Sequence, residues 1–208
     1  MELNIIDISR DILDCPVYPG DPEPMLTLLS GIRSGDACNT AQLCAGLHTG
    51  THVDAPLHFI DCGAPINRYD LSLFVGECVV VECSPGLITG DTVDRYFPKK
   101  TSRILVKGDA QAFFDVTAAE ELAFAGVKLI GTDAMSVGSF GNEAGPHKAF
   151  LREGTAILEN LDLSQVEAGK YFLIAQPLKI KGVEAAPCRA ILIRDYIFWG
   201  GKTGLFPG

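Results

Sequence analysis

Three of the chain's four histidines crowd into eleven residues, His48-Thr49-Gly50-Thr51-His52-Val53-Asp54-Ala55-Pro56-Leu57-His58. Gly50 and Pro56 both oppose a helix, glycine by about 1 kcal/mol and proline by about 3 kcal/mol relative to alanine, so the segment reads as extended backbone. Side chains alternate along an extended chain. Positions 48, 52, 54 and 58 are all even, so three imidazoles and one carboxylate are expected to project to the same side. His48, His52 and Asp54 are a suitable ligand set for zinc, manganese or ferrous iron. His58 would serve as a fourth ligand or as a proton-transfer group beside the ion.

The fourth histidine, His147, follows Gly145-Pro146 and precedes Glu159 by twelve residues. Glu159 ends the apolar run Thr155–Leu158, where a strand would deliver its carboxylate into a cleft. Together with the first cluster, His147 and Glu159 extend the set to a two-metal centre bridged by Asp54. Other chemistries find less support. Ser136-Val137-Gly138-Ser139-Phe140-Gly141 lacks the Gly-x-Ser-x-Gly elbow of a serine nucleophile. No glycine-rich phosphate loop opens a strand-to-helix turn.

At 208 residues the chain is expected to form a single domain, 1–208. Its 17 basic and 26 acidic side chains leave a net charge of −9, which disfavours nucleic acid as a partner. The longest apolar runs are strand-sized and suggest no membrane span. The start Met1-Glu2-Leu3-Asn4 has no basic leader, and seven cysteines include no C-x-x-C pair. This pattern implies reduced, mostly buried thiols in a cytoplasmic protein.

Strands are predicted at Asn4–Ser9, Glu77–Cys83, Arg103–Lys107, Val127–Thr132, Thr155–Leu158, Tyr171–Leu178 and Ala190–Arg194. Met25–Ile32 and Cys38–Leu47 would pair around the turn at Arg33-Ser34-Gly35-Asp36. Helices are expected at Asp91–Tyr96 and Thr117–Ala125, the second opened by Thr117 with Glu120 completing a capping box. The fold class is therefore α/β, with a β-rich mixed sheet and few short helices.

The segment His48–His58 resembles the cyclase family of metal-dependent hydrolases, which includes the bacterial kynurenine formamidases (arylformamidases). It matches that family's His-x-Gly-Thr-His-x-Asp-x-Pro-x-His hallmark in full. Further resemblance lies in Pro19-Gly20-Asp21, Gly131-Thr132-Asp133, Pro146-His147, Ile157-Leu158-Glu159-Asn160, Pro177-Leu178-Lys179 and Pro187-Cys188-Arg189-Ala190. The resemblance implies that His48, His52 and Asp54 hold one divalent metal and that Asp54, His147 and Glu159 hold a second, with zinc the first choice and manganese or iron alternatives. It implies that His58 is the general acid/base and that Tyr18 packs on the substrate where relatives carry tryptophan. The implied reaction is hydrolysis of an amide or formamide by metal-activated hydroxide. Opening or closing a cyclic amide or lactone is the alternative, and a non-catalytic metal-dependent binder is the reading from another class. The family also implies a homodimer or homotetramer; the aromatic tail at 196–208 is expected to pack either on a partner subunit or on its own domain. A second departure, Lys107-Gly108-Asp109, is expected to add a carboxylate near the site.

Overall fold

The computed structural model describes residues 4–194, so the tail at 196–208 lies outside the described residues. The elements in chain order are β1 (Asn4–Asp7), β2 (Met25–Ser30), β3 (Thr40–Cys44), β4 (His52–Asp54), β5 (Val75–Glu82), β6 (Gly86–Ile88) and α1 (Gly90–Tyr96). They continue as β7 (Arg103–Lys107), β8 (Ala112–Phe114), α2 (Val116–Phe124), β9 (Leu129–Thr132), α3 (Ala144–Arg152), β10 (Ala156–Glu159), β11 (Gly169–Ile174), β12 (Ala185–Pro187) and β13 (Ile191–Arg194).

Nine strands form one mixed sheet in the order β1-β13-β11-β5-β7-β9-β10-β4-β12. Its centre, β5 through β10, is parallel, and the flanks are antiparallel. This is the mixed-sheet α/β architecture expected from the sequence. The inner strands β7, β9 and β10 are buried through their middles because both faces are covered. Leu105, Leu129 and Leu158 pack on one side with Val53, Tyr171 and Leu192. Their neighbours Ile104, Ile130 and Ile157 point to the other, where Leu122 of α2 and Phe150 of α3 cover them.

Helix α2 starts earlier than expected. Asp115, not Thr117, is its cap, accepting the Ala118 N–H at 2.8 Å, while Thr117 donates its hydroxyl to Asp115 and accepts the Gly90 N–H. Aspartate is the stronger cap, and Val116 can take the first helical position. Helix α3 was not foreseen. Its Pro146 falls in the first turn, where a missing N–H costs no helical hydrogen bond. The thiols also differ from expectation: all seven are free, but only Cys78 is buried and Cys38, Cys44 and Cys62 are exposed.

The paired strands Met25–Ser30 and Thr40–Cys44 form a separate antiparallel ribbon. All but Ser30 of their residues are exposed. Register places Leu26, Leu28 and Leu43 on one face and Met25 with Cys44 on the other.

Candidate metal centre

Register explains how the sheet gathers the site. In the antiparallel pairing of β4 with β10, His52 stands opposite Glu159 and Asp54 opposite Ile157. Partners across a ladder share a face, so His52, Asp54 and Glu159 all emerge on the side that the helices cover. Helix α3 packs on that side and brings in His147. The alternation predicted for His52 and Asp54 holds. It does not extend through the whole segment, because Gly46–Thr51 turns and Pro56–His58 forms a short 3-10 turn. His48 and His58 therefore reach the site on turns flanking the strand. Gly50 has φ +69°, a left-handed conformation that glycine adopts without strain. The turn leaves its carbonyl 2.9 Å from His52 Nδ1.

Two backbone carbonyls set the imidazoles. His52 Nδ1 faces the Gly50 oxygen at 2.9 Å, and His147 Nδ1 faces the Glu143 oxygen at 2.8 Å. A carbonyl only accepts, so each Nδ1 carries a proton, and when the ring is neutral Nε2 is the bare nitrogen available to a cation. Both Nε2 atoms point at carboxylates. That of His52 lies 3.5 Å from Asp54 Oδ1 and 3.4 Å from Glu159 Oε2, and that of His147 lies 3.4 Å from Asp54 Oδ2 and 3.2 Å from Glu159 Oε1. His48 Nδ1 comes within 3.0 Å of Asp54 Oδ1. The Val137 N–H donates to Glu159 Oε1 at 2.7 Å and fixes that carboxylate.

These spacings fit a bound cation. Most exceed the usual N–H···O distance of about 2.9–3.0 Å. Two ligands bonded to one ion at about 2.1 Å stand ~3.0–3.4 Å apart across octahedral or tetrahedral angles. His52 Nε2 and both carboxylate oxygens of Asp54 are buried without a hydrogen-bond partner. Each orphaned buried polar atom costs roughly 1–3 kcal/mol, more when charged, and a divalent ion would remove that cost. The ligand atoms of His48, Asp54 and His58 lie within 4.8 Å of one another, as do those of His52, Asp54 and Glu159. Both groups share Asp54, the first includes His58, and His147 lies in reach of both carboxylates.

The electrostatics report the same crowding. Burial works against a charged His52 or His147, but the close carboxylates Asp54 and Glu159 outweigh it and raise their pKa values to about 9 and about 10. Burial likewise opposes the charge on Asp54, yet the surrounding imidazoles hold its carboxyl well below the usual range. His58 behaves differently. Burial depresses its pKa, and its ring makes no hydrogen bond among the described residues. It lies 4.2 Å from the His48 ring and 5.7 Å from the His147 ring, centroid to centroid.

The six histidine, aspartate and glutamate residues meet at a cleft of about 320 Å³; all but the deeply buried Asp54 line it directly. Tyr18 lines it too, and burial followed by its hydrogen bond to Glu143 pushes its pKa up to about 12. Phe59, Met135, Ser136 and Glu143 also line the cleft, and Glu184 lies 3.7 Å from His48 Nε2. Sequence reading missed these five because none falls in a motif. The adjacency of Phe59 to His58 was the one available signal. Asp109 does not line the cleft, contrary to expectation, since it sits on an exposed turn after β7. The exposed Cys44 and Cys62 do not line it either.

Comparisons with known proteins agree with this geometry. Residues 6–139 match the family described as "Putative cyclase". The chain is 36% identical over 200 residues to the kynurenine formamidase of Erythrobacter litoralis, covering 90% of this chain and 93% of that protein. It is 37% identical over 204 residues to the kynurenine formamidase of Salinibacter ruber, covering 90% and 96%. A solved structure described as a potential metal-dependent hydrolase with cyclase activity superposes with a TM-score of 0.82 at 28% identity, covering 92% of this chain and 98% of that one. The histidine segment, the sheet that presents it and these matches place the chain in the cyclase family, as a homologue of the bacterial kynurenine formamidases.

Proposed function

We propose that this protein is a metal-dependent hydrolase of carbon–nitrogen bonds, acting on an aryl formamide. The carrying observation is the buried, unpartnered Nε2 of His52, which lines an open cleft, beside the unpartnered carboxylate of Asp54 just beneath it. The relatives named as kynurenine formamidases supply the reaction class. His48, His52 and Asp54 would hold one divalent ion and Asp54, His147 and Glu159 a second, zinc being the first choice, with manganese or iron suited to the same donors. Such an ion lowers the pKa of water from 15.7 to about 7 and polarises a carbonyl.

The chain's own residues supply the rest. Gly50 and Glu143 carbonyls orient the rings of His52 and His147 before any ligand arrives. Tyr18 and Phe59 flank the cleft and would sandwich an aryl ring and exclude water. His58 is the general acid/base: its depressed pKa keeps the ring neutral near pH 7, ready to accept a proton at a ring nitrogen. It then returns that proton to the departing nitrogen.

The test is hydrolysis of N-formylkynurenine by metal-loaded protein, with a chelated sample alongside. Turnover that vanishes with chelator and returns with metal supports the proposal. No turnover from loaded protein defeats the formamidase reading and shifts the substrate to a cyclic amide or lactone.

The protein would assemble as a homodimer or homotetramer through the β2–β3 ribbon. Leu26, Leu28 and Leu43 are exposed on one face, and two isolated strands are at best marginally stable in water. Between Met25 and Cys44 the only charges are Arg33 and Asp36, which cancel, so two ribbons of this acidic chain can meet without repulsion. Three exposed free thiols support residence in a reducing compartment such as the cytoplasm. No helix among the described residues is long and apolar enough to cross a membrane.

A further inference from the structure

The cleft has a floor and a rim of different character. The floor holds the imidazoles and Glu159, with Asp54 buried beneath them. On the rim stand two more acids, Asp21 and Glu143, and no lysine or arginine among the described residues lines the cleft. Glu143 is positioned from both sides: the Gly141 N–H donates to its Oε1 at 2.8 Å, and the Tyr18 hydroxyl donates to the same atom. Oε2 has no partner among the described residues. The aromatic wall and the carboxylate are thus one unit, fixed by the Tyr18–Glu143 bond.

A rim of this kind discriminates by charge. An aryl ring lying on Tyr18 would bring any distal substituent toward Glu143 Oε2 and Asp21. An ammonium there gains a charge-assisted hydrogen bond, whereas a carboxylate meets like charge at the rim. The buried, unpartnered His52 Nε2 below the rim marks the cleft as built to take a ligand.

We infer that Glu143, supported by Asp21, is a specificity-determining residue that selects aryl amides bearing a distal ammonium group over those bearing a distal carboxylate. This rests on the reading of the cleft as a hydrolase site. N-formylkynurenine carries both charges, so it does not test the point.

The experiment uses the full, metal-loaded chain and two matched probes, para-aminomethyl and para-carboxymethyl formanilide, with unsubstituted formanilide as reference. The ammonium probe is expected to show a kcat/KM about tenfold or more above the carboxylate probe, with the difference mainly in KM. Glu143→Gln keeps an oxygen for Gly141 and Tyr18 but removes the charge, and should shrink that ratio at least about fivefold. Asp21→Asn should move it the same way by less. Calorimetric titration of the corresponding acetanilides reads the charge preference whether or not formanilide is cleaved. Failure to cleave formanilide alone strikes the hydrolase reading. Equal affinity for the two acetanilides, or a ratio that Glu143→Gln leaves unmoved, overturns this inference.

Discussion

Two regions of this molecule reverse the usual distribution of side chains. Beneath the cleft, Asp54, Glu159, His52 and His147 are almost wholly buried, and the first of these is 0% exposed. On the β2–β3 ribbon, Met25, Leu26, Leu28, Leu29 and Leu43 stand in the open, with Leu28 67% exposed. Globular chains seldom bury acids without a partner or expose apolar residues as a contiguous patch. The difference between the regions lies in what each lacks. Unpartnered buried charge calls for an ion, and exposed apolar surface calls for another surface. Each region thus sets the chemistry that an ion or a partner surface would have to offer.

The sharpest way to break this comparison is to remove the ion. Chelation should abolish turnover and lower the melting temperature, because an ion that binds only the folded chain stabilises it by mass action. An unchanged melting curve with metal analysis confirming removal would refute a site organised around a cation. His58→Ala should lose catalysis by ~10²–10⁴-fold while retaining metal. Loss of metal instead would make His58 a ligand, in the triad with His48 and Asp54.

On the ribbon, Leu26→Lys with Leu28→Lys should shift the protein to monomer in light scattering. A double variant that keeps the wild-type mass would show that this face is not the contact. pH separates the regions further. In metal-free protein, His52 and His147 have folded pKa values of about 9 and about 10, above an unfolded value of about 6.5. Their stabilisation is complete below pH ~6.5 and is lost as pH rises through 9 to 10. The melting temperature of metal-free protein should therefore fall across that range, and more steeply than that of loaded protein, whose rings are neutral as ligands. Parallel curves would contradict the assignment.

The smallest effect serves as a control, in a place where all partners lie within the chain. Asp115→Ala should cost about 0.5–2 kcal/mol in denaturant melts, since it removes the α2 cap. It should change neither metal content nor subunit number.

Much of the site was legible because its residues lie close in sequence. His48, His52, Asp54 and His58 form one motif, and the alternation of a short strand suffices to align His52 with Asp54. Glu159 was readable as the end of an apolar run, and the structure makes it the last residue of β10. Helix α3 was not readable, because Gly145 and Pro146 suppress the helical signal at its start. Glu143 and Glu184 carried no local mark. They acquire meaning only through proximity, to Tyr18 across 125 residues of chain and to His48 across 136 (184 − 48).

By itself, then, the sequence determined the kind of chemistry and the kind of fold. Local spacing restricts which side chains can point together, and apolar runs restrict which segments can be central strands. The tertiary structure alone decided the rest: that β4 pairs with β10 so that His52 meets Glu159, that turns carry His48 and His58 to the same cleft, and that the rim is acidic. Those outcomes depend on strand order and register, which are set by packing among distant segments and leave no periodic trace in any one of them.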